Sequence, residues 1–193
     1  MSSSRMEAFT DGVIAIIITL LVLNIDIPSS PSWSALVGMH QLFFIYIVSF
    51  LTLAVYWNNH HHVFQVTDTI SGKVLWLNIL FLLFASLFPF TTDWFGMHLY
   101  ERVPALFYGL IILATDISWM FMTRELRRIH DKESILAKSL QSFKKSYITI
   151  GVIVIGLIIG YFYPIAVLVA CLLSIIPWIV PDRYIESQLL GKE

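Results

Sequence analysis

The residues able to do chemistry are few, and most sit where chemistry is expensive. Asp11, Asp26, Asp93 and Asp116 interrupt or border long apolar stretches, and Asn78 lies inside another. An ionisable group in hydrocarbon needs a partner, a water-filled cavity or a place at a segment end. Asp26 and Asp93 fall at ends, where water is the partner. Asp116 lies well inside its stretch and Asp11 about one helical turn into its own, so both need partners within the protein. The run His60-His61-His62 offers imidazoles, but successive helical side chains diverge by about 100°, so three in a row cannot converge on one metal. These histidines are expected to close the polar end of a helix. The chain has no HExxH, GxSxG, Walker lysine loop or CxxC, each of which carries a recognisable mechanism. Neither an enzyme nor a cofactor is expected. Cys171, the one cysteine, cannot form an internal disulfide and reads as a small core hydrophobe.

The elements that must hold these groups are membrane helices. Of 193 residues, 58% are apolar and 13% charged, and the mean hydropathy is +0.78. A soluble domain carries about 25% charge. The net charge of −1 gives no footprint for nucleic acid, and the lipid bilayer is the expected surroundings. A span needs about 20 mostly apolar residues. Six stretches qualify or nearly so: 8–27, 36–57, 74–92, 104–122, 147–162 and 164–180. Together they read as one all-α, multi-pass domain over 1–193. Pro28 to Pro31 make a turn, a polar link with the histidines ends near Lys73, and Gly96 to Val103 form a short link. Tyr163-Pro164 reads as a tight turn between two short last spans, and Pro181 ends the sixth. The first stretch carries Glu7 and Asp11 and lacks a small-residue cleavage site, so it is expected to be a span and not a signal peptide. No lipidation motif is expected at either end.

Charge asymmetry orients the set. With the N-terminus inside, the inner segments hold Arg5, Lys73, the seven basic residues between Arg124 and Lys145, Arg183 and Lys192, eleven of the twelve Lys and Arg residues. Only Arg102 falls outside. The positive-inside rule therefore predicts both termini in the cytoplasm. The stretch Arg124 to Phe143 is expected to extend the fourth or fifth helix into the cytosol, with Arg128 and Lys132 on one face. Gly156 and Gly160 form a GxxxG pair that lets helix backbones approach closely.

The first span holds the most specific pattern. Arg5, Phe9-Thr10-Asp11 and an apolar helix with an embedded Thr19 resemble the signature of the transmembrane protein 175 family, lysosomal potassium channels and their prokaryotic relatives. That signature is an arginine, three residues, then Phe-Ser-Asp. Thr10 replaces the serine and keeps its hydroxyl. Trp57 followed by histidines, Asn78 and Pro89-Phe90 also fit. The resemblance is clear in the first half of the chain; the second half matches in span count and length only.

The resemblance implies a prokaryotic cell-membrane protein, a homotetramer of six-span subunits around a central pore lined by the first helix. It implies potassium as the permeant ion. There is no TVGYG-like filter; the family uses rings of apolar side chains, here Ile16 and Leu23, with Thr19 between. Helical geometry agrees. Gly12, Ile16, Thr19 and Leu23 fall within about 60° of one another, and Ile16 and Leu23 lie about 10.5 Å apart along the axis. Asp11 points about 110° from the stripe centre, toward a neighbouring helix. Its expected partners are Arg5, which should bend away from the pore mouth, and the Trp57/His60/His61 region of the second span. The alternative reading is a proton-coupled secondary transporter with Asp11 and Asp116 as titrating groups, although inverted repeats and broken mid-membrane helices are not evident.

Overall fold

The structure, a computed structural model, describes residues 3–131, 133–140 and 143–179. Among them the chain forms nine helices and no strand. Four stretches are long and apolar enough to cross a membrane: Ser4–Leu23, His40–Gln65, Gly72–Met97 and Arg102–Ile129.

Local sequence sets the boundaries. Helix α1 (Ser4–Leu23) runs into the proline-containing turn after Asn24. A short α2 (Trp33–Gly38) starts at Ser32, whose hydroxyl accepts the Ala35 N–H at 3.2 Å, a standard N-cap. The stretch expected to begin at Leu36 is thus two helices, α2 and α3 (His40–Gln65). Helix α3 also runs eight residues beyond the expected limit at Trp57, so the three histidines are helical and not in a link. The third stretch is broken. Helix α4 (Gly72–Ala85) opens at Ser71, whose hydroxyl caps Val74, and α5 (Phe88–Met97) follows after Ser86 and Leu87. Pro89 explains the break: a proline has no N–H and its ring clashes with the carbonyl four residues back, which is Ala85, the last residue of α4. Pro89 then occupies the first turn of α5, where proline is tolerated, and the apolar stretch continues to Met97 instead of ending at Thr92.

Helix α6 (Arg102–Ile129) has 28 residues, about 42 Å, longer than the roughly 30 Å hydrocarbon core. The basic stretch therefore extends the fourth span, as far as Ile129, and is followed by the short α7 (Ile135–Ser139). Helices α8 (Lys144–Gly160) and α9 (Ile165–Ile179) are shorter, about 26 and 22 Å. The expectations placed on Lys132, Pro181, Arg183, Lys192 and the C-terminus lie outside the described residues.

Two apolar clusters fill the interior. One joins Ile17, Leu21, Ile45, Phe88, Phe95 and Tyr108 from α1, α3, α5 and α6 with Cys171 of α9. The other joins Met6, Ile14, Phe64, Phe81, Trp119 and Leu126, toward the ends of α3 and α6 that carry the histidines and arginines. The GxxxG pair works inside the chain. A Cβ on Gly156 would strike Ala170, and one on Gly160 would strike Val167, both on α9. The absence of side chains at those two positions is what lets α8 and α9 touch.

Candidate functional site

Helix α1 is packed on one side only. Met6, Thr10, Ile14, Ile17 and Leu21 are buried; their spacing places them on one face, centred about 150° from the stripe Gly12–Ile16–Thr19–Leu23. That stripe is exposed: Ile16 is 62% and Leu23 70% accessible, and Gly12 and Thr19 are exposed too. A Cβ on Gly12 would meet nothing within 4 Å. Phe9 is exposed at the near edge of the same side, and Val22, off the stripe, is 49% accessible. The Thr19 hydroxyl donates to the Ala15 carbonyl at 2.9 Å. Its proton is thereby turned along the helix, and its oxygen lone pairs remain available on the exposed side.

The buried side of α1 is tied down by three polar contacts in a row. The Trp57 indole N–H donates to Asp11 Oδ1 at 3.0 Å. One turn along both helices, His61 Nδ1 meets Glu7 Oε1 at 3.0 Å. Gln65 Nε2 lies 2.7 Å from His61 Nε2 and can only donate, so Nδ1 carries the ring proton toward Glu7. The His61 ring stacks on Trp57, with centroids 5.7 Å apart. The i, i+4 spacing of Glu7 and Asp11 thus meets the i, i+4 spacing of Trp57 and His61 on an antiparallel neighbour. The third contact is buried: Asn78 donates to the Thr10 hydroxyl at 2.8 Å and its Oδ1 meets His60 Nε2 at 3.1 Å. His60 is fully buried and stacked on Phe64 at 4.4 Å. The chain Thr10–Asn78–His60 therefore links α1, α4 and α3.

Most residues singled out in the sequence meet here: Thr10, Asp11, Trp57, His60, His61 and Asn78. Arg5 does not join them. It lies inside α1, exposed, with no ion-pair partner among the described residues; the first turn of the helix already includes it, so it does not bend away. His62 turns to the Asn58 carbonyl, and among the described residues no cluster could hold a metal ion. Glu7 had no place in the expected network; its i, i+4 relation to Asp11 is the signal that would have found it.

Asp116 finds its partner in Tyr56, whose hydroxyl donates to Oδ1 at 2.7 Å. Among the described residues no cation pairs with it, and Oδ2 is buried without a hydrogen bond. Ser49, Tyr108 and Thr92 form a buried hydroxyl chain across α3, α6 and α5, for which no periodic pattern in the sequence is a sign. At the other end of α6, Glu125 takes Lys73 at 3.0 Å and Arg128 at 2.6 Å, closing α4 against α6.

The profile of the family described as endosomal/lysosomal potassium channel TMEM175 matches residues 5–89, the segment holding the exposed stripe and its braces. A protein named potassium channel from Chryseobacterium sp. (strain P1-3) is 36% identical over 98% of this chain and 98% of its own length. The chain belongs to the TMEM175 family. A TMEM175 protein of Gallus gallus, named endosomal/lysosomal proton channel, is 27% identical over 70% of this chain and 30% of its own. Among solved structures, the crystal structure of a lysosomal potassium-selective channel TMEM175 homolog from Chamaesiphon minutus aligns with a TM-score of 0.77 at 27% identity, covering 90% of this chain and 94% of that one. TMEM175 relatives are thus named as channels, a non-enzymatic function, and the likeness to a solved TMEM175 channel extends through the second half of the chain, where the sequence signature is faint.

Proposed function

We propose that this TMEM175 member is a potassium-preferring cation channel of the cell membrane, a homotetramer in which each subunit contributes α1 to a central pore and crosses the membrane six times with both termini in the cytoplasm. The observation that supports this most is the one-sided packing of α1 in a chain whose relatives are named potassium channels. The packed face is clamped by Asp11–Trp57, Glu7–His61 and Thr10–Asn78. The opposite face presents Gly12, Ile16, Thr19 and Leu23, which four copies would bring to the axis.

Such a pore works by side-chain polarity. Rings of Ile16 and Leu23 form apolar necks that empty of water when narrow, which blocks ions, and a modest widening rewets them. Between the necks, about 5 Å from each along the axis, Thr19 oxygens offer a hydroxyl layer to a dehydrating ion. Potassium sheds water more easily than sodium, so the preference is moderate. Asp11 braces α1 and does not line the pore. Asp116, bonded to Tyr56 inside one subunit, also lies away from the stripe, which disfavours the proton-coupled transporter with the two carboxylates as a relay.

The deciding experiment is flux from liposomes holding the purified protein, with potassium, sodium and proton arms. Potassium efflux at channel rates, above sodium, is the expected result. A slow flux that requires a proton gradient would favour the transporter.

A further inference from the structure

The basic end of α6 has a construction that fixing topology does not require. Arg124 and Arg127 are three residues apart on one face of the helix, where like charges disfavour each other. Both lean on the same ring: Phe143 lies 5.5 Å from the Arg124 guanidinium and 5.7 Å from that of Arg127. Arg124 also donates to the Tyr147 hydroxyl and lies 5.4 Å from that ring. Its partners among the described residues are therefore aromatic or hydroxyl groups that leave its charge uncompensated. The nearest acid along the helix, Glu125, points about 100° away from Arg124 and is taken by Lys73 and Arg128. Lys144, next in the chain to Phe143, opens α8, and Lys145 lies over the Trp178 ring at 5.8 Å. One turn back along α6 from Arg124 lies the exposed Phe121, and the exposed Ile148 and Ile155 share the face of α8 that carries Lys144.

We propose that Arg124, Arg127 and Lys144, set on the Phe143 and Tyr147 rings, hold the phosphate of an anionic phospholipid whose acyl chains lie along Phe121, Ile148 and Ile155. Arginine forks match phosphate oxygens in bidentate geometry, and basic pockets between membrane helices at the cytoplasmic boundary suit such headgroups. The aromatic rings hold the guanidinium groups at headgroup depth, where aromatic residues concentrate. The apolar stripe beneath selects a lipid over a soluble anion. The inference rests on the membrane orientation proposed above but not on ion selectivity.

Native mass spectrometry of the detergent-purified protein, titrated with phosphatidylglycerol or phosphatidylcholine, tests it. Phosphatidylglycerol adducts should predominate. Arg124→Gln with Arg127→Gln should weaken them about thirtyfold, from about 1 kcal/mol per basic residue near an anionic headgroup. Arg128→Gln, on the Glu125 side, should leave the lipid preference in place and serves as the folding control. Three results would overturn the proposal: equal retention of the two lipids, competition by inorganic phosphate alone, or a double variant that changes subunit stoichiometry while keeping the lipid preference. Potassium flux measured on the same samples separates this outcome from failure of the channel reading.

Discussion

At the residue scale, the central contrast is between positions on one helix that differ only in direction. Ile16 and Val22 are both apolar and exposed in the subunit, yet they point about 120° apart. If Ile16 faces the axis, Ile16→Asn wets the neck, and liposome flux should show a raised basal leak and weaker discrimination of potassium from sodium. Val22→Asn should alter packing without a leak. Thr19→Val, which removes the one oxygen on the stripe, should lower selectivity or conductance. Identical behaviour of the Ile16 and Val22 variants would remove α1 from the pore. Asp11 belongs to the other face. Its hydrogen bond to Trp57 lies at the exposed edge of the α1–α3 seam, so losing it costs about 0.5–1.5 kcal/mol. Asp11→Ala and Trp57→Phe should therefore lower the unfolding midpoint or the yield of assembled protein to similar degrees. The ratio of potassium to sodium flux in the surviving channels should stay as it was, and a changed ratio with normal assembly would place Asp11 in the ion path. The Arg-Phe-Thr-Asp pattern made Thr10 and Asp11 legible in advance. Tyr56 and the Ser49–Tyr108–Thr92 chain were not, because each is defined by a partner at least 43 residues away and none has a local spacing rule; Glu7 had such a rule, its i, i+4 relation to Asp11, and only the match to Trp57 and His61 gives that relation meaning.

At the element scale, hydropathy located the apolar stretches but misjudged where helices stop. A hydropathy window sees composition, while a helix end is decided by caps and by prolines. Ser32 and Ser71 open α2 and α4 through their hydroxyls. Pro89 acts four residues upstream of itself, at Ala85, a break that mean hydropathy does not register. The histidine run reads as the polar end of a helix passing into a link; α3 carries it through to Gln65, with partners for His60 on α4 and for His61 on α1. Helix contact could be read more directly from the Gly156–Gly160 pair, since small residues need no partner identified to imply close approach. Gly156→Ala should push α8 from α9 through the Ala170 collision, at an overpacking cost of about 1–3 kcal/mol, seen as a lower melting temperature in detergent. Adding Ala170→Gly should recover most of it. Gly151→Ala, with nothing within 4 Å, should be neutral in the same assay.

At the scale of the whole molecule, the distribution of charge carries the topology. The basic residues of α6 and the start of α8, Lys73 in the first turn of α4 and Arg5 in α1 all lie at one end of the bundle, while Arg102 sits over Tyr161 at the other, 4.3 Å from the ring. A cysteine introduced at Ser134, which caps α7 through its hydroxyl, should react with a membrane-impermeant maleimide only from the cytoplasmic side. Labelling from outside would invert the arrangement.

The one-sided packing of α1 also bears on inheritance. If α1 completes its surroundings only with three sister copies, as in the proposed tetramer, the conducting path is a shared possession. Two forms of the chain produced together would then assemble at random, and most channels would contain at least one altered member. Co-expression of wild-type protein with the Ile16→Asn form should therefore yield a leak well above the share of altered chains, whereas a path running through each subunit separately would give a leak in simple proportion. Such a variant would act as a dominant allele even when the normal copy is fully expressed.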